Sequence, residues 1–324
     1  MKLIIQIPCY NEEKSLPVTL AALPRQIEGF DTVEWLIIND GSTDKTVEIA
    51  RKLGVDHIVN FKKNMGLAKV FIAGLEACVK KGADVIVNTD ADNQYNAEDI
   101  PKLIKPITDS KADIVIGERP ISKTRHFSFQ KKILQRIGSW TVRLTSKTQI
   151  PDAPSGFRAI SRDAAIKLNV FSEYTYTLET IIQAGHSGMA ITSVPIRTNE
   201  DLRPSKLVKS IPKYIRHSIN TMFRVFTVYK PFKIFMTLGI TFFTAGFLLG
   251  VRWLFLFFVM HTERTHVPSL ILTAIFIILG FLLIVLGAIA DLISVNRKIL
   301  EELQYKMRKL EVEKALEKGE DHKE

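Results

Sequence analysis

Residues 85–96 read VIVNTDADNQYN, a short apolar run that ends in two aspartates one residue apart. A run of this length, bounded by polar residues, is typical of a buried strand. Asp90 and Asp92 therefore lie at the end of a predicted strand, in a chain whose formal net charge is +10. Two carboxylates this close repel each other unless something positive or polar separates them. The candidates are a metal ion, a basic side chain and water.

The pattern around this stretch repeats through the first 117 residues, where apolar runs alternate with segments of helical periodicity. The predicted strands are LIIQI, WLIIN, HIVNF, DVIVN and DIVIG, and the predicted helices are EKSLPVTLAAL, DKTVEIARKL, GLAKVFIAGLEACVKK and AEDIPKLIKPI. This alternation predicts an α/β fold with a mostly parallel sheet and helices on both faces. Ligands of such sheets bind beyond the carboxyl ends of the strands, which here carry PCYNEE, NDGSTDKT and NTDADNQ.

Three segments follow this α/β pattern. A basic stretch after Gly117 fits an amphipathic helix only in part, and PDAPSGFRAISRDA predicts a loop that leads into a helix. MAITSVPIRT predicts an edge strand. Residues 207–232 are basic and aromatic, which favours a helix lying at a membrane interface.

Two long apolar segments dominate the remainder of the chain. Residues 234–260 contain a single charge, Arg252, and residues 267–290 contain none. Each segment can cross about 30 Å of hydrocarbon as a helix; the alternative is a pair of buried core helices. Lysine and arginine are abundant before the first segment and after the second but scarce in the HTERTH link. We therefore expect an integral membrane protein with two transmembrane helices, the link outside, and the large N-terminal part and both termini in the cytoplasm.

The cysteine content and the N-terminus agree with a cytoplasmic location. Cys9 and Cys78 are the two cysteines and both have apolar neighbours, which predicts a reducing compartment. Only Lys2 separates Met1 from LIIQIP, and no long apolar core with a small-residue cleavage site follows, so a signal peptide is not expected. The predicted organisation is a catalytic domain over 1–206, an interface helix over 207–232, transmembrane helices over 233–260 and 267–291, and a charged helical tail over 296–324.

Familiar ligand-binding motifs do not account for the two aspartates. A calcium-binding EF-hand loop from Asp90 would need glycine and glutamate where Tyr95 and Pro101 stand. The chain has no GxxxxGK[ST] phosphate loop, and no GxGxxG follows a strand. What remains is a pair of oxygen ligands that suits a hard divalent ion holding a diphosphate, or else solvated acids at a strand end. Asp40, Asn11 and Glu12 lie at other strand ends, where capping of the following helix is the alternative role.

Five motifs in order and spacing resemble the family-two glycosyltransferases. They are PCYNEE, INDGSTDKT, NMGLAKVFIAGLEA, NTDADNQY and DAPSGFRAISR. The branch that they resemble most is that of the polyprenyl-phosphate glycosyltransferases, of the dolichyl-phosphate mannose synthase type, and the likeness covers about residues 1–210. The resemblance implies a GT-A fold, which is Rossmann-like, a nucleotide-sugar donor and a divalent cofactor, Mg²⁺ or Mn²⁺.

The resemblance also assigns roles to individual residues. The implied donor-binding residues are Pro8, Tyr10, Asn11, Glu12, Asp40, Asn64 and Asp90, with Asp40 on the base. The implied metal ligands are Asp92 and Gln94 of the DxD region. The implied acceptor-phosphate contacts are Arg119, Lys132, Arg136, Ser155 and Arg158, and the catalytic set is Asp90, Asp92, Arg119 and Asp152.

Two departures from family patterns bear on the prediction. Many relatives carry an arginine six residues before a lysine in the donor-diphosphate loop, whereas TNEDLRPSKL has Glu200 at that place. Arg203 and Lys206 are the nearest cations and take the diphosphate role in this prediction. The QxxRW pattern of processive polysaccharide synthases is absent from the sequence, which argues against polymerisation.

These features predict an inverting enzyme that moves a hexose from a UDP- or GDP-sugar to a polyprenyl phosphate such as dolichyl or undecaprenyl phosphate. One alternative is an anchored glycosyltransferase with another acceptor, and a second is a membrane scaffold with an inactive nucleotide pocket. Nucleic acid is not an expected partner. Leu300, Leu303, Met307 and Leu310 have the a and d spacing of a short coiled coil, which predicts a homo-oligomer aided by the tail.

Overall fold

The computed structural model describes residues 1–120, 148–170, 176–199, 231–259 and 267–320. The chain divides into two compact units. The first, here called the α/β unit, comprises Met1–Ser218 and Glu301–Glu324, and the second, the helical unit, comprises Ile219–Leu300.

The α/β unit is built on one sheet, to which the described residues contribute seven strands. The strands are β1 (Lys2–Cys9), β2 (Thr32–Asn39), β3 (His57–Asn60), β4 (Val85–Asn88), β5 (Ile114–Glu118), β6 (Arg158–Ser161) and β7 (Ile191–Pro195). Their order across the sheet is β3-β2-β1-β4-β6-β5-β7. All pairs are parallel except those of β6, so the predicted mostly parallel sheet and the predicted edge strand β7 are confirmed.

The continuous apolar sequence of the central strands follows from burial on both faces of the sheet. Every residue of β1 from Leu3 to Cys9 is buried, including Gln6, and all four residues of β4 are buried. Strands covered on both faces need apolar side chains at successive positions rather than at alternate ones. Leu3, Ile5 and Ile7 point into one core, which Leu16 and Ile100 of the flanking helices complete.

The interior strand β6 was not expected from the sequence, which indicated a loop over PDAPSGFRAISRDA. Arg158–Ser161 pairs antiparallel with β4 on one side and β5 on the other. Its four residues begin with a buried arginine, so neither an apolar run nor a strand-like alternation is visible in the sequence. Because β6 runs against its neighbours, its first residue lies at the carboxyl end of β4, close to Asp90.

Six helices in the described part of the α/β unit connect or follow the strands. They are α1 (Leu16–Ala22), α2 (Thr46–Lys52), α3 (Leu67–Lys80), α4 (Ile100–Thr108), α5 (Arg162–Lys167) and α6 (Thr177–His186). The first four match the predicted helices, and a short 3₁₀ turn, Ala97–Asp99, precedes α4. The basic stretch expected to form a helix after Gly117 and the expected interface helix over 207–232 lie outside the described residues.

The helical unit contains α7 (Pro231–Phe258) and the first part of α8 (Val267–Glu320). Both helices are long and apolar enough to cross a membrane, and little of their apolar surface is buried within the protein. The two helices approach closely at glycines. A Cβ atom on Gly280 would lie 2.6 Å from the backbone nitrogen of Phe243, and one on Gly239 would lie 2.7 Å from Ile284 Cγ1. Small residues at such contacts are typical of helix pairs in membranes.

Helix α8 continues without a break through residues 292–295, where the sequence suggested a boundary between span and tail. Its later part belongs to the α/β unit. The Arg308 guanidinium donates to the Leu168 carbonyl at 3.0 Å and pairs with Glu76 at 3.1 Å. The Lys167 ammonium lies 5.2 Å from the ring centroid of Tyr305. The tail therefore packs against α3 and the end of α5.

The predicted coiled-coil residues of the tail lie on a different face from these contacts. Leu300, Leu303, Met307 and Leu310 are each between 52% and 62% exposed. This exposure is what an unpaired seam would show, but the same side chains could meet solvent or another surface. Assembly into a homo-oligomer stays a prediction.

Candidate active site

Polar side chains from four strands meet at the carboxyl edge of the sheet. Asn11 and Glu12 follow β1, Asp40 follows β2, Asp90 follows β4 and Arg119 follows β5. Glu12, Asp92 and Arg119 all lie near enough to Asp90 to influence its ionisation. The sheet topology thus brings together residues that are more than 100 positions apart in the sequence, as expected for the ligand-binding edge of a parallel sheet.

Asp90 lies in an environment that disfavours its negative charge. Burial and the neighbouring charge of Asp92 raise the pKa of Asp90 to about 7, and the positive charge of Arg119 and a hydrogen bond from Tyr95 oppose this rise. A Cβ atom on Gly156 would lie 3.1 Å from Asp90 Oδ2. Glycine at position 156 therefore allows the backbone of the DAPSGF loop to approach the carboxylate closely.

Asp92 begins a tight turn that carries Gln94. The Asp92 Oδ1 atom accepts a hydrogen bond from the Gln94 backbone N–H at 3.1 Å. Asn93 between them has a φ of 57°, a left-handed conformation that asparagine adopts more readily than most residues. The turn therefore brings Asp92 and the Gln94 backbone together after β4.

Arg119 and Asp152 form a bidentate ion pair at the edge of this cluster. Arg119 Nε donates to Asp152 Oδ2 at 2.7 Å and Arg119 Nη2 donates to Oδ1 at 3.0 Å. The Arg119 backbone N–H also donates to Asp152 Oδ2, at 3.2 Å. The side chains are 10% and 0% exposed, so this is a buried pair. Asp152 thus orients the guanidinium, a role that differs from that of a general base.

Arg158 was expected among the acceptor-phosphate contacts, but the structure places it inside the protein. It is 1% exposed. Its Nε donates to the Ser155 carbonyl, and its Nη2 donates to the carbonyls of Ala153 and Thr177, each at 2.8 Å. Its Nη1 donates to the Thr180 hydroxyl at 2.5 Å. Because these groups engage the guanidinium, Arg158 fixes the DAPSGF loop to α6 rather than facing a ligand.

Ser155 lies between Asp152 and Gly156 in the same loop and is fully buried. In the described part of the chain, its Oγ is the buried side-chain polar atom that has no hydrogen-bond partner. A buried hydroxyl without a partner costs roughly 1–3 kcal/mol. Such a cost is typical of positions whose partner arrives with a ligand, as predicted for Ser155.

The predicted donor-binding residues after β1 form a network with the DGSTD turn. Asn11 has a φ of 55°, and its Oδ1 accepts from the Thr43 N–H at 2.9 Å. The Glu12 carboxylate accepts from the Ser15 hydroxyl at 2.5 Å. This is a contact between two side chains and not a helix cap, since the Ser15 cap position of α1 has no side-chain hydrogen bond to the backbone. Pro8 pairs with Ile38 inside the sheet, whereas Tyr10 is 43% exposed and presents an aromatic ring at the edge.

Asp40 is buried and holds the neighbouring NMG loop. Its carboxylate accepts hydrogen bonds from the N–H groups of Met65, at 2.6 Å, and Gly66, at 3.1 Å. Asn64 passes next to Gly41, where a Cβ atom would lie 2.8 Å from the Asn64 nitrogen. These contacts give Asp40 a structural role in shaping the edge, and its predicted contact with the base stays a prediction.

Four predicted site residues lie outside the described part of the chain. They are Lys132, Arg136, Arg203 and Lys206. The acceptor and diphosphate roles suggested for them stay predictions.

The side-chain oxygen atoms at this edge suit a divalent cation that has a second source of ligands. The described residues hold no group of three or more His, Cys, Asp or Glu side chains that could bind a metal by themselves. Mg²⁺, however, is commonly bound by one or two carboxylates together with substrate phosphates. Asp90, Asp92 and Gln94 offer oxygen atoms of that kind, so the site fits a cation that shares its ligands with a diphosphate.

Tyr95, Asn88 and Tyr176 were not predicted as part of the site, yet they support it. The Gly156 N–H donates to the Tyr95 hydroxyl at 3.0 Å. Asn88 Nδ2 donates to the Gly156 carbonyl at 2.8 Å and to the Tyr176 hydroxyl at 3.0 Å. A polar residue at the end of the apolar run VIVN was the one sequence signal for this network.

Comparisons with known proteins identify the family of this chain. The family described as glycosyl transferase family 2 matches residues 4–168. The chain is 30% identical over 218 residues to an undecaprenyl-phosphate mannosyltransferase of Micrococcus luteus, covering 64% of this chain and 88% of the relative. It is 26% identical over 216 residues to a polyprenol monophosphomannose synthase of Mycolicibacterium smegmatis, covering 63% and 80%.

A solved structure supports the same fold. Glucosyl-3-phosphoglycerate synthase from Mycobacterium tuberculosis, in complex with Mn²⁺, UDP-glucose and phosphoglyceric acid, superposes with a TM-score of 0.54 at 18% identity. The match covers 68% of this chain and 79% of that one. The α/β unit thus has the GT-A glycosyltransferase fold. The chain belongs to glycosyl transferase family 2, and the likeness to its polyprenyl-phosphate branch, predicted from the motifs, is confirmed by the relatives. It is a glycosyltransferase.

Proposed function

We propose that this glycosyltransferase moves a hexose from a nucleotide-sugar to a polyprenyl phosphate, with inversion at the anomeric carbon. The observation that carries the proposal is the position of Arg119, a cation fixed by Asp152 beside the carboxylates of Asp90 and Asp92. An acceptor phosphate and a donor diphosphate both need positive charge within one small site. Relatives named for undecaprenyl-phosphate and dolichol-phosphate mannosyl transfer support this acceptor class.

The donor half of the site is the carboxylate pair with Gln94. When bound there, Mg²⁺ or Mn²⁺ would neutralise the charge that develops on the departing diphosphate. Asp92 and Gln94 would hold the cation. The pKa of Asp90 is raised to about 7, and a cation bound beside it would favour loss of its proton. Tyr10, exposed at the end of β1, would offer its ring to the nucleotide.

The acceptor half of the site is Arg119 with Ser155. A guanidinium has five N–H groups, and the ion pair with Asp152 takes two of them, so further donors can face a phosphate. One phosphate oxygen attacks the anomeric carbon while the bond from that carbon to the diphosphate oxygen breaks. The electron pair leaves with the nucleoside diphosphate. A phosphate monoester is already ionised at neutral pH, so Asp152 has no proton to remove.

The apolar helices α7 and α8 would anchor the enzyme where a polyprenyl phosphate resides. The basic flanks predict that both termini are cytoplasmic and that the HTERTH link faces outward. The two native cysteines are buried, and burial raises the pKa of both thiols, so they should give little background in thiol labelling.

A cysteine introduced in place of Thr262 in the link tests this topology. It should react with an impermeant thiol reagent added to intact cells. The matched control is a cysteine in place of Lys318, in the tail, which should react only after the cells are opened. The reverse order of labelling would invert the proposed orientation.

A substrate panel tests the proposed reaction. The purified full-length enzyme would receive UDP- and GDP-linked hexoses with one short polyprenyl phosphate and Mg²⁺ or Mn²⁺, and the lipid product would be weighed by mass spectrometry. A product whose mass equals the lipid phosphate plus one hexose residue, that is, hexose minus water, supports the proposal. Transfer to another acceptor but not to lipid phosphate would favour an anchored enzyme of different specificity, and no transfer from any donor would contradict the proposed reaction.

A further inference from the structure

A short segment before the TNEDLRPSKL cations runs beside the turn that carries the proposed metal ligands. Tyr95 and Thr198 form an antiparallel bridge. The Asn96 N–H donates to the Arg197 carbonyl at 3.3 Å, and the Asn199 N–H donates to the Gln94 carbonyl at 2.9 Å. Residues 197–199, here called the clasp, thus pair with the turn over residues 93–96.

Asn199 makes the densest set of these contacts. Its Nδ2 donates to the Asn93 carbonyl at 2.9 Å and to the Tyr95 carbonyl at 3.3 Å. Together with the backbone bond to Gln94, one residue therefore donates to three successive carbonyls of the turn. A side-chain amide has two N–H groups and a short reach, which suits this position.

The other end of the clasp is fixed by an ion pair. The Arg197 backbone N–H donates to Asp99 Oδ2 at 2.6 Å, and Arg197 Nη2 donates to Asp99 Oδ1 at 3.0 Å. Asp99 ends the 3₁₀ turn that follows the metal-binding turn. The clasp is thereby attached at both of its ends, through Asn199 to residues 93–95 and through Arg197 to Asp99.

We propose that Asn199 is a positioning residue that holds Asp92 and Gln94 in the geometry required by a divalent cation. The turn depends on Asn93 at a φ of 57°, and the orientation of its carbonyl is set by the Asn199 amide. Without that bond the turn can relax, and the backbone that carries Asp92 and Gln94 changes its conformation. The inference rests on the proposed function, since it takes Asp92 and Gln94 as the metal ligands.

Direct Mn²⁺ binding to the full-length protein in detergent tests the inference. The free Mn²⁺ signal in electron paramagnetic resonance would be followed during titration with Mn²⁺ in the presence of UDP or GDP, against a protein-free titration, because the site shares the cation with a diphosphate. Asn199→Ala removes both side-chain donors, and Asn199→Asp keeps the shape but turns an oxygen toward the carbonyls. Each change should weaken Mn²⁺ binding about 10-fold, as is usual when a group that supports a metal ligand is lost.

Two controls separate this role from general stabilisation. Lys102 donates to the Pro195 carbonyl just before the clasp but does not contact the turn, so Lys102→Ala should bind Mn²⁺ as the wild type does. The melting temperature of each variant shows whether it is folded. In turnover assays, excess Mn²⁺ should restore kcat for the Asn199 variants, because their metal activation constant is what changes.

Asp92→Asn completes the experiment. If it loses Mn²⁺ binding while both folded Asn199 variants bind like the wild type, the inference is wrong and the metal site stands. If Asp92→Asn itself binds Mn²⁺ normally, the proposed metal site is wrong. The proposed role of Asn199 is then wrong as well, because it depends on that site. Weakened binding in Asn199→Asp alone is enough to support the inference should Asn199→Ala fail to fold.

Discussion

The carboxylates at the two ends of the strands have opposite electrostatic surroundings. At the amino edge, carboxylates have basic partners: Glu34 pairs with Lys2 at 2.8 Å and lies 2.7 Å from His57 Nε2, and Asp84 pairs with Arg162 at 2.8 Å. At the carboxyl edge, Asp90 lies near the like charge of Asp92, and burial adds to the cost. One fold thus holds ordinary surface ion pairs at one end and, at the other, a buried aspartate whose ionised form is destabilised by burial and by a neighbouring carboxylate.

This contrast distinguishes a stabilising use of charge from a functional one. A partly exposed ion pair contributes little to the free energy of folding, typically under about 1 kcal/mol. Like charges brought together out of water raise the free energy of the protein unless a ligand neutralises them. At the carboxyl edge, therefore, a bound cation or a cation-bound substrate would lower the free energy of the protein by neutralising these charges.

The sharpest test of the contrast replaces one aspartate at each edge by asparagine, in separate variants. Asp92→Asn should lower metal-dependent turnover at least about 100-fold, because a metal that stabilises transition-state charge contributes several kcal/mol. Asp84→Asn, at the amino edge, should leave turnover close to that of the wild type. Initial rates with saturating Mn²⁺ would measure both, and a fully active Asp92→Asn variant would contradict the role of this edge.

A second comparison concerns the stability of the two kinds of ion pair. Asp152→Asn leaves the buried Arg119 without its counter-charge, so the free energy of unfolding should fall by about 3–5 kcal/mol. Asp84→Asn breaks a pair whose side chains are 37% and 33% exposed and should cost under about 1 kcal/mol. Denaturant melts in detergent would compare them. Equal losses in the free energy of unfolding would show that the buried ion pair contributes no more to stability than the partly exposed one.

The pH dependence of stability gives a smaller effect. The pKa of Asp90 is raised to about 7 in the folded protein, against about 3.9 for an ordinary aspartate. Between these values the folded state holds a proton that the unfolded state has lost, so stability falls as pH rises from about 4 to about 7 and levels off above. Asp90→Asn should remove this slope in metal-free buffer, as judged by melting temperatures. A slope unchanged by the substitution would show that another group causes it.

Much of the fold was predictable because the central strands are covered on both faces. Runs such as LIIQI and VIVN can belong to little other than buried strands when helical segments separate them, and the polar residues that follow mark the ligand edge. Strand β6 was missed because four residues starting with Arg158 carry no such pattern. Its place between β4 and β5 is decided by pairing across the sheet, which local sequence does not encode.

The site was predictable in its residue types and less so in their roles. The family motifs identified Asp152 and Arg158, but a motif cannot show whether a side chain faces a ligand or the protein interior. The structure turns Asp152 toward Arg119 and buries Arg158 among carbonyls. Tyr95 and Asn199 were missed because their importance comes from contacts over 61 and 106 positions in sequence.

The return of helix α8 to the α/β unit has a consequence for biogenesis. Tyr305 and Arg308, which contact the end of α5, are encoded after both apolar segments. The ribosome therefore releases the last piece of the α/β unit only after both apolar segments have been synthesised. A nascent chain that stalls before this point lacks the Arg308 contacts with Glu76 and Leu168. The α/β unit is in this way completed only after both long apolar helices have been synthesised.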